Sequence, residues 1–239
     1  MRHWWREQAH EKGSVGATSR LARNLWTFLR ESTPAQRRQR FGDMEYDWEN
    51  RVNTTSGTVG WRARLLGLLY SPYQPTEPAL FREMMATLPI DYEAFTFIDL
   101  GSGKGRTLLM ASEYPFRRIV GVELLPALHQ IAQENLARYK ADSQKCSALE
   151  AVYGNATNFS FPNEPLVLYL FNPLPESGLK QVMANLDRSL LAHPRAVYVA
   201  YHNPLLEHVL RGRVGFTKLA GTHQYSIYAF SGQTERHHS

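Results

Sequence analysis

From Thr96 onward the chain repeats one pattern: a short apolar run, a break marked by glycine or proline, and a segment whose apolar residues recur at helical spacing. The apolar runs fall at 96–100, 118–123, 149–153, 166–171 and 195–201, and the amphipathic segments at 104–113, 126–140, 176–191 and 204–211. Continuous apolar strands alternating with amphipathic helices predict a mostly parallel sheet with both faces covered, because strands buried on both sides carry no polar alternation. The last two runs, 215–220 and 225–231, are separated by a short turn containing Gly221, Thr222 and His223 and no helix, so they predict a hairpin and an antiparallel strand at the end of the sheet. The expected fold is α/β, a three-layer doubly wound sheet with a C-terminal hairpin strand.

Ahead of the first strand, Thr76-Glu77-Pro78 reads as a helix start, with Thr76 as the cap and Leu80, Phe81, Met84, Met85 and Leu88 on one apolar face. Residues 1–75 form a basic, partly helical arm. Within it, Leu21, Leu25, Phe28 and Leu29 predict an amphipathic helix over Ser19–Arg30, and Pro34 with Arg37, Arg38 and Arg40 reads as a solvated linker. The catalytic domain is expected over 76–231, with a disordered tail over 232–239.

Charge alters this picture mainly at the arm. The chain carries a net +5, yet residues 1–42 hold nine Lys/Arg against three Glu, which leaves the remainder near −1. Attraction to nucleic acid or anionic lipid is therefore expected from the arm and not from the sheet domain. No apolar stretch is long enough to span a bilayer, and no secretory signal precedes the arm, so a cytoplasmic location is expected. The single cysteine, Cys146, excludes an internal disulfide framework and any multi-cysteine zinc site, and no metal is expected.

The chemistry-bearing segment is Phe97-Ile98-Asp99-Leu100-Gly101-Ser102-Gly103-Lys104-Gly105, a strand joined to a helix through three glycines at alternate positions. Such a turn lets backbone approach a ligand closely, and the helix start offers unpaired N–H groups and a positive dipole end. The dinucleotide fingerprint G-x-G-x-x-G does not fit, since the third glycine comes one residue early, and no P-loop G-K-[ST] is present. At the tip of the next strand, in Gly121-Val122-Glu123, the Glu123 carboxylate can accept both hydroxyls of a ribose.

These two segments resemble motifs I and II of the class I S-adenosylmethionine (SAM)-dependent methyltransferases, and the similarity extends over roughly 70–231. The resemblance implies a seven-stranded Rossmann-like sheet with SAM as cofactor. It implies that Gly101, Gly103 and Gly105, with Ser102, line the cofactor, that Asp99 organises the loop or reaches the amino group through water, and that Glu123 takes the ribose. At the third motif, Tyr153-Gly154-Asn155-Ala156 offers Asn155 to the adenine amino group, or as a simple turn residue. At the fourth, Phe171-Asn172-Pro173-Leu174-Pro175 keeps the Asn-Pro of amino-group methyltransferases but lacks the second proline and the aromatic on which a base would stack, so the resemblance makes Asn172 the candidate catalytic residue, with a strand-end cap as the alternative, and adenine is disfavoured as acceptor.

Upstream, Tyr70–Thr76 is similar to a segment of the mitochondrial lysine methyltransferases that folds over the SAM carboxylate, which implies a cofactor contact for Thr76. Uncharacterised bacterial methyltransferases share the Asp-Leu-Gly-Ser-Gly-Lys-Gly-Arg and Phe-Asn-Pro patterns. His202 could accept an acceptor proton or serve as a loop residue, and Tyr169, Phe171 and Tyr201 could line an acceptor pocket or belong to the core. The expected reaction is methyl transfer to a nitrogen of a protein side chain or small molecule. Methylation of RNA or DNA through the basic arm and a non-catalytic SAM-binding regulator stand as alternatives.

Overall fold

The computed structural model describes residues 45–55 and 75–230. The arm helix expected over Ser19–Arg30, the linker at 37–40, the segment 70–74 and the tail over 232–239 lie outside the described residues.

Seven strands form one sheet: Thr96–Leu100 (β1), Arg118–Glu123 (β2), Leu149–Tyr153 (β3), Leu166–Leu170 (β4), Val197–His202 (β5), Phe216–Gly221 (β6) and Tyr225–Phe230 (β7). Their spatial order is β3-β2-β1-β4-β5-β7-β6. β1 to β5 pair in parallel, and β7 runs antiparallel to both β5 and β6. The antiparallel strand of the hairpin therefore sits inside the sheet, and β6 forms the edge. Burial explains the choice: Tyr225, Ser226, Ile227 and Tyr228 are all buried, whereas β6 exposes Thr217, Lys218 and Leu219.

The period of two along each strand sorts side chains into two cores. On one face Ile98, Val120, Leu168 and Val199 pack with Leu179, Val182, Met183, Leu186 and Leu190 of the helix Glu176–Ala192. On the other, Phe97, Ile119, Val167 and Tyr169 pack with Leu80, Phe81, Met84 and Met85 of Pro78–Ala86 (α1) and with Leu108 and Met110 of Arg106–Ala111 (α2). Each of these fully buried side chains contributes about 1.5–3 kcal/mol. The remaining long helices are Pro126–Arg138 (α3) and Glu176–Ala192 (α4).

Local chemistry moved several boundaries. α1 begins at Pro78 with Glu77 as its N-cap, so Thr76 stands one residue outside the cap, and its hydroxyl pairs with the buried Tyr169 phenol instead. α2 begins at Arg106 and not at 104, because Gly103 and Gly105 hold positive φ of 56° and 83°. The helix expected over 204–211 is reduced to a 3₁₀ turn, Glu207–Val209. It is confined between the left-handed Asn203 (φ 47°) and Gly212 (φ 78°), and the Leu206 N–H is drawn to the Tyr201 hydroxyl.

Candidate functional site

In a doubly wound sheet the strand order reverses between two central strands, and a crevice opens beyond their carboxyl ends. Here the reversal lies between β1 and β4. A pocket occupies that position, walled by the glycine turn after β1 (Gly101, Ser102, Gly103), by Glu123 and Leu124 at the end of β2, by Asn155 after β3, and by Phe171, Pro173 and Leu174 after β4. Thr76, Asp99, Arg106, Thr107 and Tyr169 also line it.

The turn and the acid are joined directly. The backbone N–H of Gly103 donates to Glu123 Oε2 at 2.8 Å, and that of Leu125 donates to Oε1 at 2.7 Å. Burial raises the Glu123 pKa, while these backbone donors pull it back. Asp99 lies deeper, only 3% exposed, and accepts a hydrogen bond from the Thr107 hydroxyl. Burial pushes its carboxyl up to about 7, the Thr107 hydroxyl opposes this, and the neighbouring charge of Glu123 adds to it. A buried carboxylate held at the edge of ionisation, on a pocket wall, is suited to a cationic ligand group.

The three glycines serve different ends. A Cβ at Gly101 (φ 83°) would lie 2.5 Å from Pro173 Cβ, so this residue lets the turn after β1 close against the turn after β4. A Cβ at Gly105 would crowd Ala132 and Leu136 of α3, which places Gly105 behind the pocket as the N-cap of α2. Gly103 supplies the N–H that reaches Glu123. Ser102 Oγ is buried beside Gly121 and has no hydrogen-bond partner among the described residues.

Other predicted residues are present with their polar atoms engaged. Asn155 lines the pocket, but its Oδ1 caps the following 3₁₀ turn by accepting from Thr157 N at 3.0 Å and Thr157 Oγ1 at 2.9 Å. Asn172 (φ 46°) lies outside the lining: its Nδ2 donates to Asn203 O at 2.6 Å, and its Oδ1 accepts from the Tyr201 hydroxyl at 2.8 Å. It therefore ties the loop after β4 to the loop after β5. His202 is set behind the wall, stacked on Phe171 with ring centroids 3.8 Å apart and its Nδ1 2.9 Å from Tyr169 Oη. Burial lowers its pKa to about 4, so the ring is neutral at ordinary pH. Tyr169 Oη also meets Thr76 Oγ1 at 2.7 Å, completing a buried Thr76–Tyr169–His202 chain. Tyr201 belongs to the core.

Sequence reading missed Lys104 and Arg106, both fully buried. A signal for them existed: two cations flank Gly105, the N-cap of α2, where the helix dipole already places positive charge and the first turn holds no acid. Such a pair requires a carboxylate from elsewhere, and Asp47 supplies it, with Arg106 Nη2 at 3.3 Å. Among the described residues no helix is long and apolar enough to cross a membrane, and no group of three or more His, Cys, Asp or Glu side chains is placed to hold a metal ion.

No family model matches the chain. It is 28% identical over 148 residues to a trans-aconitate 2-methyltransferase of Variovorax paradoxus (strain S110), a match covering 58% of this chain and 57% of that enzyme, so the chain spans little more than half the length of this curated relative. Similar solved structures include an RNA methyltransferase from Salinibacter ruber in complex with S-adenosyl-L-homocysteine (19% identity, TM-score 0.41, covering 65% of this chain and 92% of that one). They also include a predicted N6-adenine-specific DNA methylase from Listeria monocytogenes str. 4b F2365 (15% identity, TM-score 0.49, covering 66% and 52%). With its strand order, its single antiparallel strand and its pocket at the β1/β4 reversal, the chain has the class I SAM-dependent methyltransferase fold.

Proposed function

We propose that this chain binds SAM in the pocket at the ends of β1, β2 and β4 and transfers its methyl group to a nitrogen of a small molecule or protein side chain. The observation that carries the reading is the junction of Gly103 N with Glu123 Oε2, which sets the glycine turn and the acid of β2 on one wall. The similarity to an enzyme named for methylating trans-aconitate supports methyl transfer and, within it, a small-molecule acceptor; trans-aconitate contains no nitrogen, so the nitrogen target rests on Asn172 and the apolar wall and not on this relative.

SAM supplies an already activated methyl group on a sulfonium centre, so the residues here need to align two partners and exclude water rather than provide a strong nucleophile. Asp99 would meet the cofactor's ammonium, the turn at Gly101, Ser102 and Gly103 its amino-acid portion, and Glu123 the ribose through the lone pairs its backbone donors leave open. Asn155 stands on the wall for the base, Gly105 supports the turn from behind, and Thr76 closes the near side through Tyr169. Phe171, Pro173 and Leu174 form an apolar wall that would desolvate an amine and favour its neutral, nucleophilic form. Asn172 acts first by holding that wall, and the second lone pair of its Oδ1 is the acceptor it can offer to an N–H.

The test is isothermal titration with SAM, S-adenosylhomocysteine and NAD in parallel, followed by transfer of radiolabelled methyl groups to acceptor pools. Binding of both sulfur ligands without NAD, and labelling of a small-molecule or protein fraction, is the expected result; no binding by the folded protein overturns it. A second reading, methylation of RNA or DNA, draws on the surplus of six positive charges in residues 1–42 and would appear as label on naked nucleic acid. Cofactor binding without any labelled product would mark a regulatory SAM-binding protein instead.

A further inference from the structure

A glycine-rich turn has few side chains with which to fix itself, and each glycine held in one conformation costs more backbone entropy than any other residue. In this turn the side chains that can anchor it from outside are Lys104 and Arg106, interleaved with Gly103 and Gly105. Both reach away from the sheet domain, to a segment some fifty positions earlier in the chain. Lys104 Nζ donates to Asn53 Oδ1 at 3.0 Å and to Thr55 O at 2.7 Å. Arg106 Nε donates to Thr54 Oγ1 at 2.6 Å, and its guanidinium lies 4.7 Å from the centroid of the Tyr46 ring. Asp47 organises these partners. Its Oδ2 accepts the backbone N–H groups of Thr54 and Thr55 at 2.7 and 2.8 Å, and its Oδ1 takes the Thr54 hydroxyl and Arg106 Nη2.

The helix behind the turn closes the arrangement. Asn135 on α3 accepts Asn53 N–H at 2.8 Å and donates through Nδ2 to Asn53 O at 3.0 Å and to Lys104 O at 2.9 Å. One amide thus measures the position of the turn's backbone against that of the distant segment. A segment needed only to cover apolar surface would not place its polar groups on the turn's own cations and carbonyl.

We infer that residues 46–55 are a strap that sets the conformation of the glycine turn, with Asp47 as its positioning residue, so that cofactor affinity depends on a segment outside the sheet domain. The ligand half of this inference rests on the SAM reading above; the conformational half does not. A turn held in advance costs a ligand less ordering on binding, which is where the affinity arises.

The test uses the full chain carrying Asp47→Asn, which keeps the shape but places an N–H group against either the two backbone donors or the guanidinium. Hydrogen exchange at residues 101–106 reads the turn, and titration with S-adenosylhomocysteine reads the site. The strap requires faster exchange at 101–106 with β4 and β5 protected as in the parent, and affinity weaker by about tenfold or more, as expected for losing a charge-assisted pair. Thr54→Val, which removes the hydroxyl between Asp47 and Arg106, should act in the same direction with smaller size, and it decides the matter if Asp47→Asn does not fold. Either readout left at the parent level in a folded variant overturns the strap; a merely structural segment would lower stability and leave the affinity of the folded protein unchanged. If the parent itself does not bind S-adenosylhomocysteine, the SAM reading fails and hydrogen exchange alone decides the strap.

Discussion

Asp99 shows how one buried group links pocket chemistry to pH. Its carboxyl stands at about 7 in the folded protein against an ordinary value of 3.8, so folding takes up a proton within that window and this group's contribution to stability declines as pH rises through it. An ammonium bound beside it favours the ionised form, so binding releases that proton. S-adenosylhomocysteine affinity should therefore rise with pH up to about 7 and then level off, and Asp99→Asn should flatten this profile near its low-pH level, so that its deficit grows as pH rises through that range; titration across the range checks both. Asp99 and Glu123 were legible in the sequence because one lies next to last and the other last in an apolar run, which puts both carboxylates near a strand tip. The engagements of Asn155 and Asn172 were not, since the partners of an amide depend on which loops meet. Asn172 takes a left-handed conformation and is tied to Tyr201 and Asn203, residues contributed by another strand and its loop.

Elements bring the site together by close approach. Gly101 stands against Pro173 with no room for a Cβ, and its φ of 83° disfavours one independently. Gly101→Ala should thus part the loops after β1 and β4, lowering stability by more than the ~1 kcal/mol of a typical point substitution and weakening S-adenosylhomocysteine binding in the same variant; unchanged affinity would show that the contact is not required for the pocket. α1 anchors the opposite side through Phe81, fully buried and edge-on to Phe97 at 5.9 Å. Phe81→Ala should cost about 3–5 kcal/mol in chemical denaturation. The apolar face of α1 was legible from its spacing, and its first residue was set by Pro78. The role of Thr76 was not legible, because a threonine before an acid and a proline has the same local pattern whether it caps a helix or meets a phenol on a strand far along the chain.

For the whole molecule, the chain ahead of the sheet is part of the architecture of the site, at least over residues 46–55. A ligand that binds only the folded protein stabilises it by mass action: S-adenosylhomocysteine at about one hundred times its Kd should add about 2.7 kcal/mol. For a chain of this size that corresponds to a rise in Tm of several degrees, at about 2–4 °C per kcal/mol, with NAD giving none in the same melt. The sequence by itself determined the alternation of strands and helices, the hairpin, the glycine turn and the acid of β2, because periodicity, turn chemistry and strand-end charge act over a few neighbouring residues. Only the tertiary structure decided that β7 inserts between β5 and β6, that Gly105 supports the turn from behind, that Arg106 pairs with Asp47 and that Lys104 donates to Asn53 and Thr55. Those outcomes depend on which buried charges and surfaces meet across tens of residues, and local pattern holds no record of that pairing.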